Sequence, residues 1–138
     1  MRARAHGSLL AADVGELVGV SGTTIGQWAR RGYIHSSQDD GDPRVYAVED
    51  VAEASIVHAL LERGVRRADI RRAIGRLRAT EGPWPLTEAR LATVQDEGRT
   101  RLLLAEGAGW LELTARGWQH VAVPGAVDEV RLRLAPAA

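Results

Sequence analysis

The chain of 138 residues is long enough for one ordinary domain or two small ones and too short for most multidomain enzymes. Its 18 basic residues, all arginines, balance 18 acidic residues, so no net charge draws the whole molecule toward nucleic acid or a membrane. The lack of cysteine excludes disulfides, thiolate metal sites and cysteine nucleophiles, and no stretch approaches the ~20 apolar residues of a membrane span, which predicts a cytoplasmic protein.

The first predicted elements are two short helices joined by a tight turn. Apolar residues at helical spacing predict a helix over residues 11–18, which Gly19 ends. Ser21 is placed to cap a second helix by accepting a hydrogen bond from an amide of its first turn, and Gly32 marks where that helix stops. Such a pair is typical of a helix-turn-helix, whose second helix enters the major groove of DNA.

The second helix has a small, polar outer face instead of the long charged residues of an ordinary amphipathic helix. In a major groove, Thr23 can contact a thymine methyl, Gln27 can bind adenine and Arg30 can bind guanine. Gly22 and Gly26 would allow the helix backbone to approach the DNA closely. These residue types therefore predict DNA recognition.

Residues 33–46 predict a β-hairpin wing, because strand-forming residues flank the turn dipeptide Asp40-Gly41. Three aspartates at the tip would bring negative charge near a polyanion: Asp39, Asp40 and Asp42. They lack the fuller ligand pattern of a calcium loop, so we expect no metal site there. Either this tip points away from the DNA duplex or the binding is weak.

Two further helices are predicted after the wing. Glu49 and Asp50 suit a helix N-terminus, and apolar residues fill one side of that helix as far as Gly64. A fourth helix over residues 66–79 has apolar residues at i, i+3, i+4 and i+7. A glycine and two prolines in residues 81–88 cannot continue a helix, so this segment is predicted to be a linker.

The last third of the chain consists of short apolar runs separated by turn signals, which predicts a small antiparallel β meander over residues 89–138. The expected fold class is α+β. A tail at residues 1–8 would precede a winged helix-turn-helix domain of four helices and a hairpin at residues 9–80, and the linker would lead to the β-rich domain.

Signals for other functions are weak. No catalytic arrangement or phosphate-binding loop can be defended and the histidines lack metal-ligand spacing, so we expect no enzyme, no metal and no cofactor. Three tryptophans of the second half can fill its core, line a ligand pocket or form a protein interface: Trp84, Trp110 and Trp118.

Three stretches resemble the winged helix-turn-helix domain of MerR-type regulators over about residues 9–79: DVGELVGVSGTTIGQWARRGYI at 13–34, RVYAVEDV at 44–51 and ERGV at 62–65. The TIxxW form at 24–28 is closer to the BldC-like and excisionase-like branches of that group. Such regulators usually dimerise through a long C-terminal coiled coil, which the glycine and prolines would interrupt here. The cysteine ligands of metal-sensing members are also missing.

The resemblance implies a set of DNA contacts. Contacts to bases would come from Thr23, Gln27 and Arg30. Contacts to phosphates, which position a protein without reading sequence, would come from Ser21, Thr24, Arg31, Arg44, Tyr46, Arg66 and Arg67. Tyr46 would also brace the wing.

The leading hypothesis is a sequence-specific transcription regulator that binds double-stranded DNA as a homodimer or a cooperative oligomer. The alternative is an antitoxin-like protein that binds its operator and masks a partner protein through residues 89–138. A small-molecule sensor that uses the tryptophans and an excisionase-like factor that bends DNA are further readings. None of them involves a membrane.

Overall fold

The computed structural model describes residues 9–36, 44–123, 126–132 and 134. These residues fall into two compact units. The first unit comprises the described residues up to His58 together with those from Leu132 onward, and the second unit is Ala59–Arg131.

The first unit opens with two helices, α1 (Ala11–Val18) and α2 (Gly22–Arg30). It continues into α3 (Val48–Glu62), whose last turn belongs to the second unit. Gly19 ends α1 in the left-handed region with a φ of 100°, a conformation that glycine adopts without strain. The bounds of α1 and the position of the turn agree with the sequence prediction.

The tip of the predicted wing, residues 37–43, lies outside the described residues. On its C-terminal flank, Tyr46 forms an isolated antiparallel bridge with Leu9. Two backbone hydrogen bonds of 3.3 and 2.8 Å close the bridge. The sequence pattern does not predict this pairing, because the partner lies far from the wing along the chain.

Helix α3 is buried more completely than its sequence pattern predicts. Apolar residues were expected to fill one side, yet Asp50, Glu53 and Ser55 are at most 3% exposed as well. Asp50 is satisfied locally, because its Oδ2 accepts a hydrogen bond of 2.8 Å from the amide of Ala47. Apolar periodicity describes a half-buried helix and does not detect polar residues whose hydrogen bonds permit burial.

The second unit contains two helices, α4 (Arg67–Glu81) and α5 (Pro85–Glu88), and a five-stranded antiparallel sheet. Its strands are β1 (Leu91–Asp96), β2 (Arg99–Glu106), β3 (Gly109–Thr114), β4 (Gly117–Val121) and β5 (Asp128–Glu129). Their order across the sheet is β4-β3-β2-β1-β5, so the first four strands form the predicted meander. The α+β fold class is confirmed.

Two elements differ in detail from the prediction. The segment predicted as a linker contains α5, because Pro85 suits the first turn of a helix and both it and Leu86 are buried. The last strand, β5, pairs with β1 at the opposite edge from β4, so it does not continue the meander that was predicted as far as residue 138.

The strand register places Trp110 and Trp118 on opposite faces of the sheet. Trp110 packs against a buried apolar cluster of Ala92, Val94 and Leu103. Trp118 lies opposite Leu113 on the other face. The two tryptophans therefore do not line one pocket together, and each packs on its own side.

Candidate nucleic-acid interface

Two glycines allow α1 and α2 to pack closely. A Cβ atom on Gly15 would lie 2.5 Å from the carbonyl oxygen of Val20, and one on Gly22 would lie 3.0 Å from the Cα of Ala12. Both neighbouring atoms belong to the backbone and cannot rotate away as a side chain can. The small size of Gly22 therefore serves the packing of the two helices, which corrects its sequence-based interpretation, and Gly15 has a role that the sequence interpretation missed.

The first turn of α2 is ordered by Ser21. Its hydroxyl oxygen accepts a hydrogen bond of 3.0 Å from the backbone amide of Thr24. The same hydroxyl donates a hydrogen bond of 3.0 Å to Oγ1 of Thr24. The predicted cap is thus confirmed at Thr24. The N-terminus of a helix is the positive end of its dipole, so this turn can hold an anion such as a phosphate.

The three predicted base-contact residues form one exposed stripe on α2. Thr23, Gln27 and Arg30 are separated by four and three residues, which places them on the same side of a helix, and all three are exposed. On the other side, Ile25 is 0% and Trp28 is 2% exposed. The buried side anchors the helix within its unit, and the polar stripe remains available for a ligand.

The arginines beside this stripe differ in their contacts. Arg31, directly after α2, is exposed, and no described carboxylate pairs with it or with Arg30. Arg44 is half-buried, and its Nη1 donates a hydrogen bond of 3.4 Å to Oγ of Ser36. That contact joins the two described segments on either side of residues 37–43.

Tyr46 is fully buried, at 0% exposure. Burial raises the pKa of its hydroxyl, the charge of Asp50 adds to the rise, and the charges of Arg44 and Arg30 oppose it. Both arginines therefore lie within electrostatic reach of one phenol. Because a buried side chain offers no surface to a phosphate, the predicted phosphate contact of Tyr46 is wrong, and its bracing of the wing stays a prediction.

A buried carboxylate joins the two described segments that flank residues 37–43. Oδ1 of Asp50 lies 3.2 Å from Nδ1 of His35, and its Oδ2 accepts the hydrogen bond from Ala47. His35 precedes the wing tip and Ala47 follows it. The sequence pattern indicates only that the histidines lack metal-ligand spacing, and it does not predict this contact of His35. The spacing of Ala47 and Asp50, which is that of a capping box, was the available signal for half of this arrangement.

The remaining predicted phosphate contacts belong to the second unit. Arg66 and Arg67 are exposed at the start of α4. Nε of Arg66 lies 3.3 Å from a carboxylate oxygen of Asp69, which also pairs with Arg72 at 3.0 Å. No described carboxylate pairs with Arg67, so its charge is the less compensated of the two.

The helical part of the chain is similar to a known protein family. A family model described as MerR HTH family regulatory protein matches residues 11–77. This chain carries a MerR-type helix-turn-helix domain. The MerR-type match spans α1 and α2, continues through α3 into α4, and leaves the sheet outside the matched residues. Neither the curated proteins nor the solved structures contain a significant match to the chain.

The part of the chain that the structure describes contains neither a membrane-spanning helix nor a cluster of metal ligands. No helix there is long and apolar enough to cross a membrane. The same residues include no group of three or more histidine, aspartate or glutamate side chains that could hold a metal ion. The aspartates of the predicted wing tip lie outside the described residues.

Proposed function

We propose that this protein is a sequence-specific DNA-binding transcription regulator whose helix α2 reads the major groove. The observation that carries the proposal is the exposed stripe of Thr23, Gln27 and Arg30 on the second helix of a MerR-type domain. Its three side chains offer an apolar methyl, an amide that both donates and accepts, and a bidentate cation. A major groove presents the matching groups.

In this proposal, Arg30 binds a guanine edge, Gln27 binds an adenine edge and Thr23 contacts a thymine methyl. The phosphates on either side are contacted by residues at both ends of α2, at the wing and at the start of α4: Ser21, Thr24, Arg31, Arg44, Arg66 and Arg67. Tyr46 and Asp50, which are both buried, would support the base of the wing.

A single domain of this size reads few base pairs, and specific binding at cellular salt needs a larger interface. We therefore propose that two copies bind together, each reading one half of a symmetric site. Half-sites read by two-fold related helices lie about 34 Å apart or at a multiple of that distance.

Selection of bound sequences from random DNA tests the base contacts. Gln27→Ala and Arg30→Ala should each relax one position of the selected site, at a cost of about 1–3 kcal/mol for the preferred base. Arg44→Ala should weaken binding to all sequences alike, since a phosphate contact carries no sequence information.

Arg99→Ala serves as the matched control, because Arg99 is an exposed arginine of the sheet. It should leave both affinity and selected site unchanged. If Gln27→Ala and Arg30→Ala select the same sequences as the unmodified protein, α2 does not read bases and the proposal is wrong.

A further inference from the structure

The two edges of the sheet differ in how well they are protected against pairing with another strand. The β5 edge is only two residues long, and both residues are acidic. Arg63 donates hydrogen bonds to the backbone carbonyl oxygens of Asp128 and Glu129, at 2.7 and 3.0 Å, and Arg90 pairs with the carboxylate of Glu129 at 3.0 Å. Short length and charge are features that block pairing at an edge.

Strand β4, at the opposite edge, is longer than β5, and the described residues place one charged group, the guanidinium of Arg76, beside Gly117 at its start. Its sequence GWQHV contains no arginine, aspartate, glutamate or proline. Within the described residues no strand pairs with its outer side. Gln119 and His120 are exposed. An edge strand presents backbone N–H and C=O groups outward at alternate residues, so the described residues leave a row of donors and acceptors open along β4.

We propose that β4 pairs antiparallel with β4 of a second copy of this chain, which joins the two sheets across a two-fold axis. In the register centred on Gln119, this residue opposes Gln119 of the partner subunit. Trp118 then opposes His120 of the partner subunit. The proposal names the surface through which two copies would associate, and it follows from the sheet alone, so it holds whether or not the protein binds DNA.

The chemistry of β4 favours a copy of itself as the occupant. Two facing amides can donate to and accept from each other, the flanking pairs are aromatic, and no like charges meet. The β5 edge, which is short, acidic and contacted by arginines, prevents a third copy from pairing with the dimer. Pairing therefore closes at a dimer and does not extend into a fibre.

The small size of the proposed interface indicates a low affinity between the two copies. A five-residue edge buries less surface than the roughly 1,200–2,000 Å² of a standard stable interface. We therefore expect a free dimer that dissociates in the micromolar range.

A single cysteine tests the register directly. The chain contains no cysteine, so one introduced by Gln119→Cys can form a disulfide only between copies. Opposed residues of an antiparallel pair have Cα atoms about 4.5–5.5 Å apart, within the range that a disulfide spans. Mild oxidation should convert this variant to a covalent dimer, whereas Ala108→Cys, in the exposed turn between β2 and β3, should remain mostly monomeric.

Sedimentation without DNA gives the second measurement. The unmodified protein should change from monomer to dimer between roughly 10 and 300 μM, and Gln119→Lys should stay monomeric, because two positive charges would face each other across the axis. The new lysine would lie opposite Glu112 in its own chain, which favours the folded sheet. Ala108→Lys is the control and should dimerise normally.

Three results would overturn the proposal: a monomer over the whole range, equal disulfide formation at positions 108 and 119, or a Gln119→Lys variant that dimerises as the unmodified protein does. The last would place the interface elsewhere. Each result is independent of the selection experiment, so failure of the β4 interface and failure of DNA recognition can be told apart.

Discussion

At the scale of single residues, burial separates the supporting side chains from those that can contact a ligand. Tyr46 and Asp50 are both 0% exposed, while Gln27 and Arg30 in the same unit are exposed. The hydroxyl of Tyr46 has no hydrogen-bond partner among the described residues. A buried polar group without a partner destabilises the folded state. The hydroxyl of Tyr46 should therefore lower the stability of the protein, while its buried ring should raise it.

Substitutions of Tyr46 can separate the contribution of its ring to stability from that of its hydroxyl. Tyr46→Phe should leave the free energy of unfolding unchanged or raise it by up to about 1 kcal/mol, because it removes an unpaired buried group. Tyr46→Ala should lower it by about 3–5 kcal/mol, because it also leaves a cavity. Urea denaturation at neutral pH measures both. A loss of more than 1 kcal/mol in Tyr46→Phe would show that the hydroxyl has a stabilising partner.

The pKa shift of Tyr46 extends this test to alkaline pH. Because burial raises its pKa above the ordinary value of 10.0, the unfolded chain loses the proton first. The stability that this contributes is complete below about pH 10 and is lost as the pH rises toward the folded-state pKa. The unmodified protein should therefore lose more stability above pH 10 than Tyr46→Phe does.

At the scale of elements, three glycines of α1 and α2 have different roles. Gly15 is pressed against the turn backbone and Gly22 against α1, whereas a Cβ on Gly26 would meet only the end of the Arg30 side chain, at 3.4 Å. The residue type is the same at all three positions. Only the distance to the neighbouring backbone determines which of them the fold requires.

A pair of matched substitutions tests this difference. Gly15→Ala and Gly26→Ala make the same change within a helix, where alanine is favoured by about 1 kcal/mol. Gly26→Ala should therefore raise the free energy of unfolding by about 0.5–1 kcal/mol. Gly15→Ala should lower it by about 1–3 kcal/mol, since the added atom overlaps the carbonyl of Val20. Thermal or urea unfolding that showed equal effects would contradict the close packing.

At the scale of the whole molecule, a net charge of zero means that affinity for DNA must come from local cations. The logarithm of the binding constant should fall with the logarithm of salt concentration by about 0.9 for each phosphate contacted. Arg31→Ala and Arg67→Ala should each reduce that slope by about 0.9, and Arg99→Ala should leave it unchanged. A binding constant insensitive to salt would exclude the proposed phosphate contacts.

The elements that sequence predicted well depend on residues close together in the chain. The bounds of α1, the cap at Ser21, the stripe on α2 and the meander of β1–β4 follow from spacings of two to four residues and from turn residues. The sequence also showed which side chains of α2 could share a face, because helical periodicity fixes that without reference to the rest of the chain.

Only the tertiary structure decided the features that join distant segments. It showed that Gly22 meets Ala12, that Tyr46 pairs with Leu9 and is buried, and that Asp50 reaches His35 across the wing. It also located the last strand at β5. The periodicity of the sequence predicts which face of an element a residue occupies. Burial, pairing partners and open edges depend instead on which distant segment covers that face, and the local spacing of residues does not contain that information.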